Sequence, residues 1–115
     1  MWAESADNEL VEQLAGEWSG KFGSYDMTLE IDPASTPDSV VTMTHVKFKH
    51  LSSEAAVGHY TEELNVVHLE DVVENGIQDG EYNLTWDKDK NTLKGLYKSR
   101  KGKRMEVKLA KTVTE

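Results

Sequence analysis

The stretch LAGEWSGKFGSYDMTLEI, residues 14–31, decides the fold of this chain. Apolar residues occupy every second position from Tyr25 to Ile31, a period typical of a β-strand with one buried face. Trp18 and Phe22 alternate in the same way, and a Gly-Ser turn at residues 23–24 separates the two segments. The stretch therefore predicts an antiparallel hairpin.

The residues before this hairpin have a helical pattern instead. Apolar residues from Ala6 to Leu14 recur at helical spacing, Ser5 is suited to the N-cap, and Gly16 is suited to the position after the last turn. We expect one short helix over residues 4–16. Because a helix of this length is marginal in isolation, it must dock on the rest of the chain.

The rest of the chain reads as further short strands. Turn dipeptides such as Asn75-Gly76 separate them, and a change of apolar parity near His45 predicts a β-bulge. Since no crossover helix intervenes, we expect about eight antiparallel strands in an up-and-down order. Closure into a barrel would remove both exposed sheet edges, so the predicted fold is an all-β barrel with an N-terminal helix.

Length and composition are those of one folded domain. The chain has 115 residues, of which 37% are hydrophobic and 30% charged. We interpret residues 1–115 as a single domain, with a helical arm over 1–16 and barrel strands over 17–112. The absence of cysteine excludes disulfides, thiolate metal sites and cysteine nucleophiles. With no signal-peptide pattern and no apolar run of roughly 20 residues, we expect a soluble, cytoplasmic protein that does not enter membranes.

Charge is distributed unevenly along this acidic chain. Residues 1–87 carry a net charge of −15, whereas residues 88–111 carry +8. The basic residues around the last hairpin are Lys94, Lys98, Arg100, Lys101, Lys103 and Arg104. A basic cluster beside an aromatic residue can bind nucleic acid, but the acidic remainder would repel a polyanion, so nucleic acid is not an expected partner.

The first strand also carries a family resemblance. Gly16-Glu17-Trp18, after a short helix, resembles the G-x-W opening of the calycin group, which comprises lipocalins, fatty-acid-binding proteins and avidins. The segment VKLAK, residues 107–111, is similar to the last strand of that group. The resemblance implies that Trp18 packs across the closed end of the barrel under a basic residue of the last strand. Lys111 stands where that group usually has arginine.

Aromatic residues are the first candidates for a binding site. Tyr82, Trp86 and Tyr97 have the parity of the barrel interior, where they either fill the space or wall a cavity. We interpret the chain as a non-enzymatic, calycin-like binding protein that holds a small apolar or aromatic ligand against these three residues. No catalytic motif is present, and no catalytic residue is assigned.

The histidines are the second set of candidates, since all four lie between residues 45 and 68. A turn at residues 63–64 would place His59 opposite His68, with His45 nearby on the preceding strand. Imidazoles clustered inside a barrel would suit Zn²⁺ or haem iron, but no spacing matches a known ligand signature. We therefore assign His45, His59 and His68 to the ligand site and predict no metal and no cofactor.

An alternative function uses the outside of the barrel. Strands three and five carry apolar residues on both faces, and one half of the chain is acidic while the last hairpin is basic. These features are typical of a protein–protein interaction module, whose partner is another protein or a second copy of the chain.

Overall fold

A computed structural model describes residues 13–47, 51–72 and 80–112 and shows a closed barrel of eight antiparallel strands. The strands are β1 (Gly16–Phe22), β2 (Tyr25–Ile31), β3 (Val40–Lys47), β4 (Leu51–Thr61), β5 (Val66–Val72), β6 (Gly80–Asp87), β7 (Thr92–Ser99) and β8 (Arg104–Lys111). Each strand pairs with the next, and β8 pairs with β1. The predicted all-β, up-and-down barrel is therefore confirmed. No helix among these residues is long and apolar enough to cross a membrane.

The predicted N-terminal helix lies almost entirely outside the described residues. Gln13 and Leu14 are helical, and the chain then enters β1 at Gly16. The φ of Gly16 is 112°, a value that L side chains rarely adopt. A glycine is therefore required where the helical backbone changes direction into the barrel.

The strands alternate between the barrel interior and solvent. In β2, Met27, Leu29 and Ile31 are buried, as the two-residue period predicts. In β6, Tyr82, Leu84 and Trp86 are buried in the same way. The interior of the barrel is thus a continuous core.

The predicted β-bulge in β3 is wrong. Val40–Lys47 pairs with β4 without interruption, so the interior parity does not change. Thr42 and Thr44 occupy interior positions, and their hydroxyls donate to the carbonyl oxygens of Ala56 at 2.7 Å and Glu54 at 3.1 Å. The change of apolar parity in the sequence arises because a threonine can replace an apolar residue inside a barrel when its hydroxyl has a backbone acceptor.

The two ends of the barrel differ. The start of β1, the end of β8 and the connections β2–β3, β4–β5 and β6–β7 lie at one end, which we call the closed end. Leu14 and Trp18 are 1% and 0% exposed there, and the Trp18 Nε1 donates to the carbonyl oxygen of Leu14 at 2.7 Å. The ends of β1, β3, β5 and β7 and the starts of β2, β4, β6 and β8 lie at the opposite end, which we call the open end.

Lys111 joins the last strand to the start of the described chain at the closed end. Its Nζ lies 5.2 Å from the centroid of the Trp18 ring and donates to the carbonyl oxygens of Gln13 and Ala15. Burial lowers the pKa of the Lys111 ammonium, and these hydrogen bonds and the ring face offset its loss of water. The contact therefore stabilises the closed end.

Replacing Lys111 with methionine should destabilise the protein. Lys111→Met keeps an apolar stem over Trp18 but removes two charge-assisted hydrogen bonds, so we expect the free energy of unfolding to fall by about 1–3 kcal/mol. Lys108→Met removes an exposed lysine of the same strand and should change it by less than about 0.5 kcal/mol. Urea unfolding measures both variants. Equal effects would contradict the role given to Lys111.

Gly58 is needed where β4 passes close to β5. A Cβ at this position would overlap the backbone carbonyl of His68 on the neighbouring strand. Gly58→Ala should therefore lower the free energy of unfolding by at least about 2 kcal/mol, because backbone atoms must move apart. Val57→Ala, one residue away on the outer face, should cost less than about 1 kcal/mol. Thermal unfolding compares the two, and a Gly58→Ala protein as stable as Val57→Ala would contradict this account.

Candidate functional site

A cavity of about 200 Å³ lies inside the open end of the barrel. Interior residues of six different strands line it, so the cavity exists only because the barrel is closed. The lining residues are Phe22, Thr44, Val46, Glu54, Asp71, Tyr82 and Tyr97. This is a small concave site that combines aromatic rings with hydroxyl and carboxyl groups.

Three aromatic rings form one wall of the cavity. Tyr82 and Tyr97 are directly paired on β6 and β7, with ring centroids 4.7 Å apart. The Phe22 ring lies 5.0 Å from the Tyr97 ring in an edge-on arrangement and 6.2 Å from the Tyr82 ring. These separations are those of favourable aromatic pairs, so the wall is held by its own contacts.

The other side of the cavity is acidic. Asp71 is only 4% exposed, and the Tyr97 hydroxyl donates to its Oδ2 at 2.9 Å. Burial raises the pKa of Tyr82, and the negative charge of Asp71 raises it further. The Tyr82 hydroxyl therefore stays neutral and can donate or accept a hydrogen bond at physiological pH.

The predicted aromatic site is divided between the two ends of the barrel. Tyr82 and Tyr97 line the cavity, whereas Trp86 is 2% exposed near the closed end, with its ring 5.8 Å from that of Tyr60. Four residues of strand separate Tyr82 from Trp86, which is about 13 Å. The expectation that Trp86 shares a ligand with the two tyrosines is therefore corrected.

The expectation that the histidines face the interior is also wrong. His45, His59 and His68 lie on the outer face, because their neighbours along each strand take the interior positions. His59 and His68 are paired as predicted, with ring centroids 5.3 Å apart. His45 is remote from them, since its strand register places it opposite Ser53. It forms hydrogen bonds with the Ser53 hydroxyl at 2.7 Å and with Glu30 at 2.6 Å.

One group of side chains on the outer face has ligands that suit a divalent metal. Donor atoms of His68, Glu70 and Glu81 all lie within 4.8 Å of one another. The His68 Nδ1 is 2.8 Å from Asn83 Oδ1, which leaves Nε2 facing Glu81 at 3.8 Å. Among the described residues, these are the side chains that could hold a metal, on an accessible surface outside the cavity.

The outer face also holds apolar residues, on β3 and on the neighbouring β4. Val41, Met43 and Val57 are 42%, 40% and 39% exposed on β3 and β4. In β5, Val67 and Leu69 are buried in the core instead. An interaction with another protein or a second copy stays a prediction.

The basic residues of the last hairpin are adjacent in the barrel. Lys94 pairs with Lys108, and Lys98 pairs with Arg104, all on exposed positions of β7 and β8. This positive surface is separate from the cavity, whose lining contains no lysine, arginine or histidine among the described residues.

Sequence reasoning missed five of the residues that line the cavity, namely Phe22, Thr44, Val46, Glu54 and Asp71. A signal for Asp71 was present, since it follows Val67 and Leu69 at the interior parity of its strand. Glu54 likewise lies two residues from the buried Ala56, at the interior parity of β4. An acid at a core position is uncommon unless it is paired or functional.

No family model, curated protein or solved structure matches this chain. The likeness to the calycin group therefore holds at the level of architecture: a closed barrel of eight antiparallel strands in up-and-down order. Such a barrel is compatible with ligand binding, since eight strands enclose a space for packed side chains or one small ligand.

Proposed function

We propose that this protein binds a small ligand with a single ring in the cavity at the open end of the barrel. The observation that carries the proposal is the cavity of about 200 Å³ with three converging aromatic rings. An apolar cavity of about 150 Å³ is large enough for benzene. A ligand of about eight non-hydrogen atoms is therefore the expected size.

The difference between the two ends of the barrel supports entry of the ligand from the open end. The closed end is filled by Trp18, Leu14 and Trp86, which are at most 2% exposed. At the open end, Phe22 and Tyr97 are half-buried, so their rings are accessible to a ligand. A ligand would enter past these rings and be oriented by the hydroxyls of Thr44 and Tyr82.

Filling the cavity with a side chain should abolish binding. Val46 lines the cavity from β3, and Val46→Phe places a ring in the proposed ligand space. Val41→Phe makes the same change on the outer face of the same strand, where the side chain is 42% exposed. Because Phe fills an existing cavity, Val46→Phe should fold with a melting temperature no lower than that of Val41→Phe.

Nuclear magnetic resonance titration with benzyl alcohol and with benzylamine tests the proposal. We expect saturable shifts of cavity-lining residues with at least one probe, with a dissociation constant of about 1 mM for so small a ligand. Val46→Phe should weaken that binding at least tenfold, whereas Val41→Phe should change it less than twofold. Shifts confined to the outer surface, or unchanged binding to Val46→Phe, would overturn the proposal.

A further inference from the structure

The pairing of β5 with β6 brings one imidazole and two carboxylates together on the outer face of the barrel. His68 and Glu70 are two residues apart on β5, so both point outward, and Glu81 of β6 lies directly opposite Glu70. Donor atoms of the three side chains all lie within 4.8 Å of one another. None of the three lines the cavity, so what they bind is independent of the proposed function.

His68 has the hydrogen bond that orients metal-binding histidines. Its Nδ1 lies 2.8 Å from Asn83 Oδ1, which accepts, so Nδ1 carries the proton of the neutral imidazole and Nε2 keeps a lone pair. Histidines that bind metals usually donate their other ring nitrogen to an oxygen in this way. His45 differs, because both of its ring nitrogens are hydrogen-bonded, to Ser53 at 2.7 Å and to Glu30 at 2.6 Å.

The gap between His68 and Glu81 has about the width that a metal ion requires. Nε2 is 3.8 Å from Glu81 Oε2, which is too long for a hydrogen bond. Two ligands of a tetrahedral Zn²⁺, each about 2.0–2.1 Å from the ion, are about 3.3 Å apart. A side-chain shift of about 0.5 Å would therefore let both atoms bind one ion. The two side chains are 24% and 41% exposed, so an ion can reach them from water.

The two carboxylates can bind a metal while they keep other partners. A carboxylate has two oxygens with about four lone-pair sites, so one oxygen can bind an ion while the other keeps a hydrogen bond or an ion pair. Lys98 lies opposite Glu81 on β7, on the side away from β5. A contact from Lys98 to one oxygen of Glu81 is compatible with the site, since Oε2 faces His68.

We propose that His68, Glu70 and Glu81 bind a divalent transition-metal ion, with Zn²⁺ the expected ion and water in the remaining position. Imidazole nitrogen suits Zn²⁺, whereas Mg²⁺ and Ca²⁺ prefer oxygen ligands. Three protein ligands leave one position of a tetrahedral ion open. This proposal departs from the sequence prediction of no metal, because Glu81 becomes a neighbour of His68 only through the register of β5 with β6.

Isothermal titration calorimetry with ZnCl₂ tests the site. We expect saturable binding to the wild-type protein that a tenfold excess of Mg²⁺ does not prevent. His68→Gln and Glu81→Gln each remove one ligand and should each weaken this binding at least tenfold. His45→Gln is the matched control, since it removes another outer-face histidine that contacts a glutamate, and should change the binding less than twofold. Circular dichroism in the presence of EDTA checks that the variants fold.

Two further substitutions separate this site from its neighbours. The His59 ring lies 5.3 Å from the His68 ring, so an ion held between the two histidines would be lost in His59→Gln and kept in Glu81→Gln, and that result would overturn the assignment. Asn83→Leu removes the acceptor for Nδ1 and should weaken binding about tenfold, whereas Asn83→Asp keeps an acceptor and should bind at least as tightly as wild type.

The outcomes decide the proposal without reference to the cavity. A wild-type protein with no saturable Zn²⁺ binding would overturn it. So would binding that is equally tight in wild type, His68→Gln and Glu81→Gln. Neither result would affect the proposed function, which depends on the opposite face of the barrel wall.

Discussion

The pairing of β1 with β8 is the constraint on which the rest of this structure depends. It runs from Trp18 opposite Lys111 to Phe22 opposite Val107, and it converts a linear order of strands into a barrel. Without it, β1 and β8 would be exposed edges. The same pairing brings Phe22 beside the tyrosines of β6 and β7, because β8 lies between β7 and β1.

Closure also gives the barrel two chemically different ends. At the closed end, the indole of Trp18 and the ammonium of Lys111 satisfy backbone carbonyls that precede β1. The interior becomes more polar from the closed end to the open end of the barrel, as Thr42, Thr44 and Asp71 take buried positions. A buried carboxylate is costly for stability unless it is hydrogen-bonded, as Asp71 is by the Tyr97 hydroxyl.

The inner and outer faces of the barrel also differ in how strongly water screens the charged residues. Among the described residues, the outer face holds His45, His59 and His68, the basic residues of the last hairpin and most acids, and water screens their charges there. Asp71 and Glu54 instead face a partly desolvated space, where each charge has a stronger effect on its neighbours. Both acids accordingly raise the pKa of Tyr82 across the cavity.

The local sequence pattern was sufficient to predict the architecture of the barrel. The two-residue period from Tyr25 to Ile31 and the turn dipeptides between later strands implied antiparallel neighbours, and the need to remove free edges implied closure. The same alternation placed Tyr82 and Tyr97 in the interior, since their strands have one clearly apolar face. The pairing of His59 with His68 followed from the predicted position of the turn between their two strands.

Tertiary structure alone decided the composition of the site. Trp86 and Tyr82 share a parity, but distance along the strand assigns them to opposite ends of the barrel. His45 lies in a strand with polar residues on both faces, so hydrophobicity did not indicate which face was inside. That choice depends on register with neighbouring strands, a long-range property that pairs residues distant in sequence. The acids and rings meet only because six strands converge around one space.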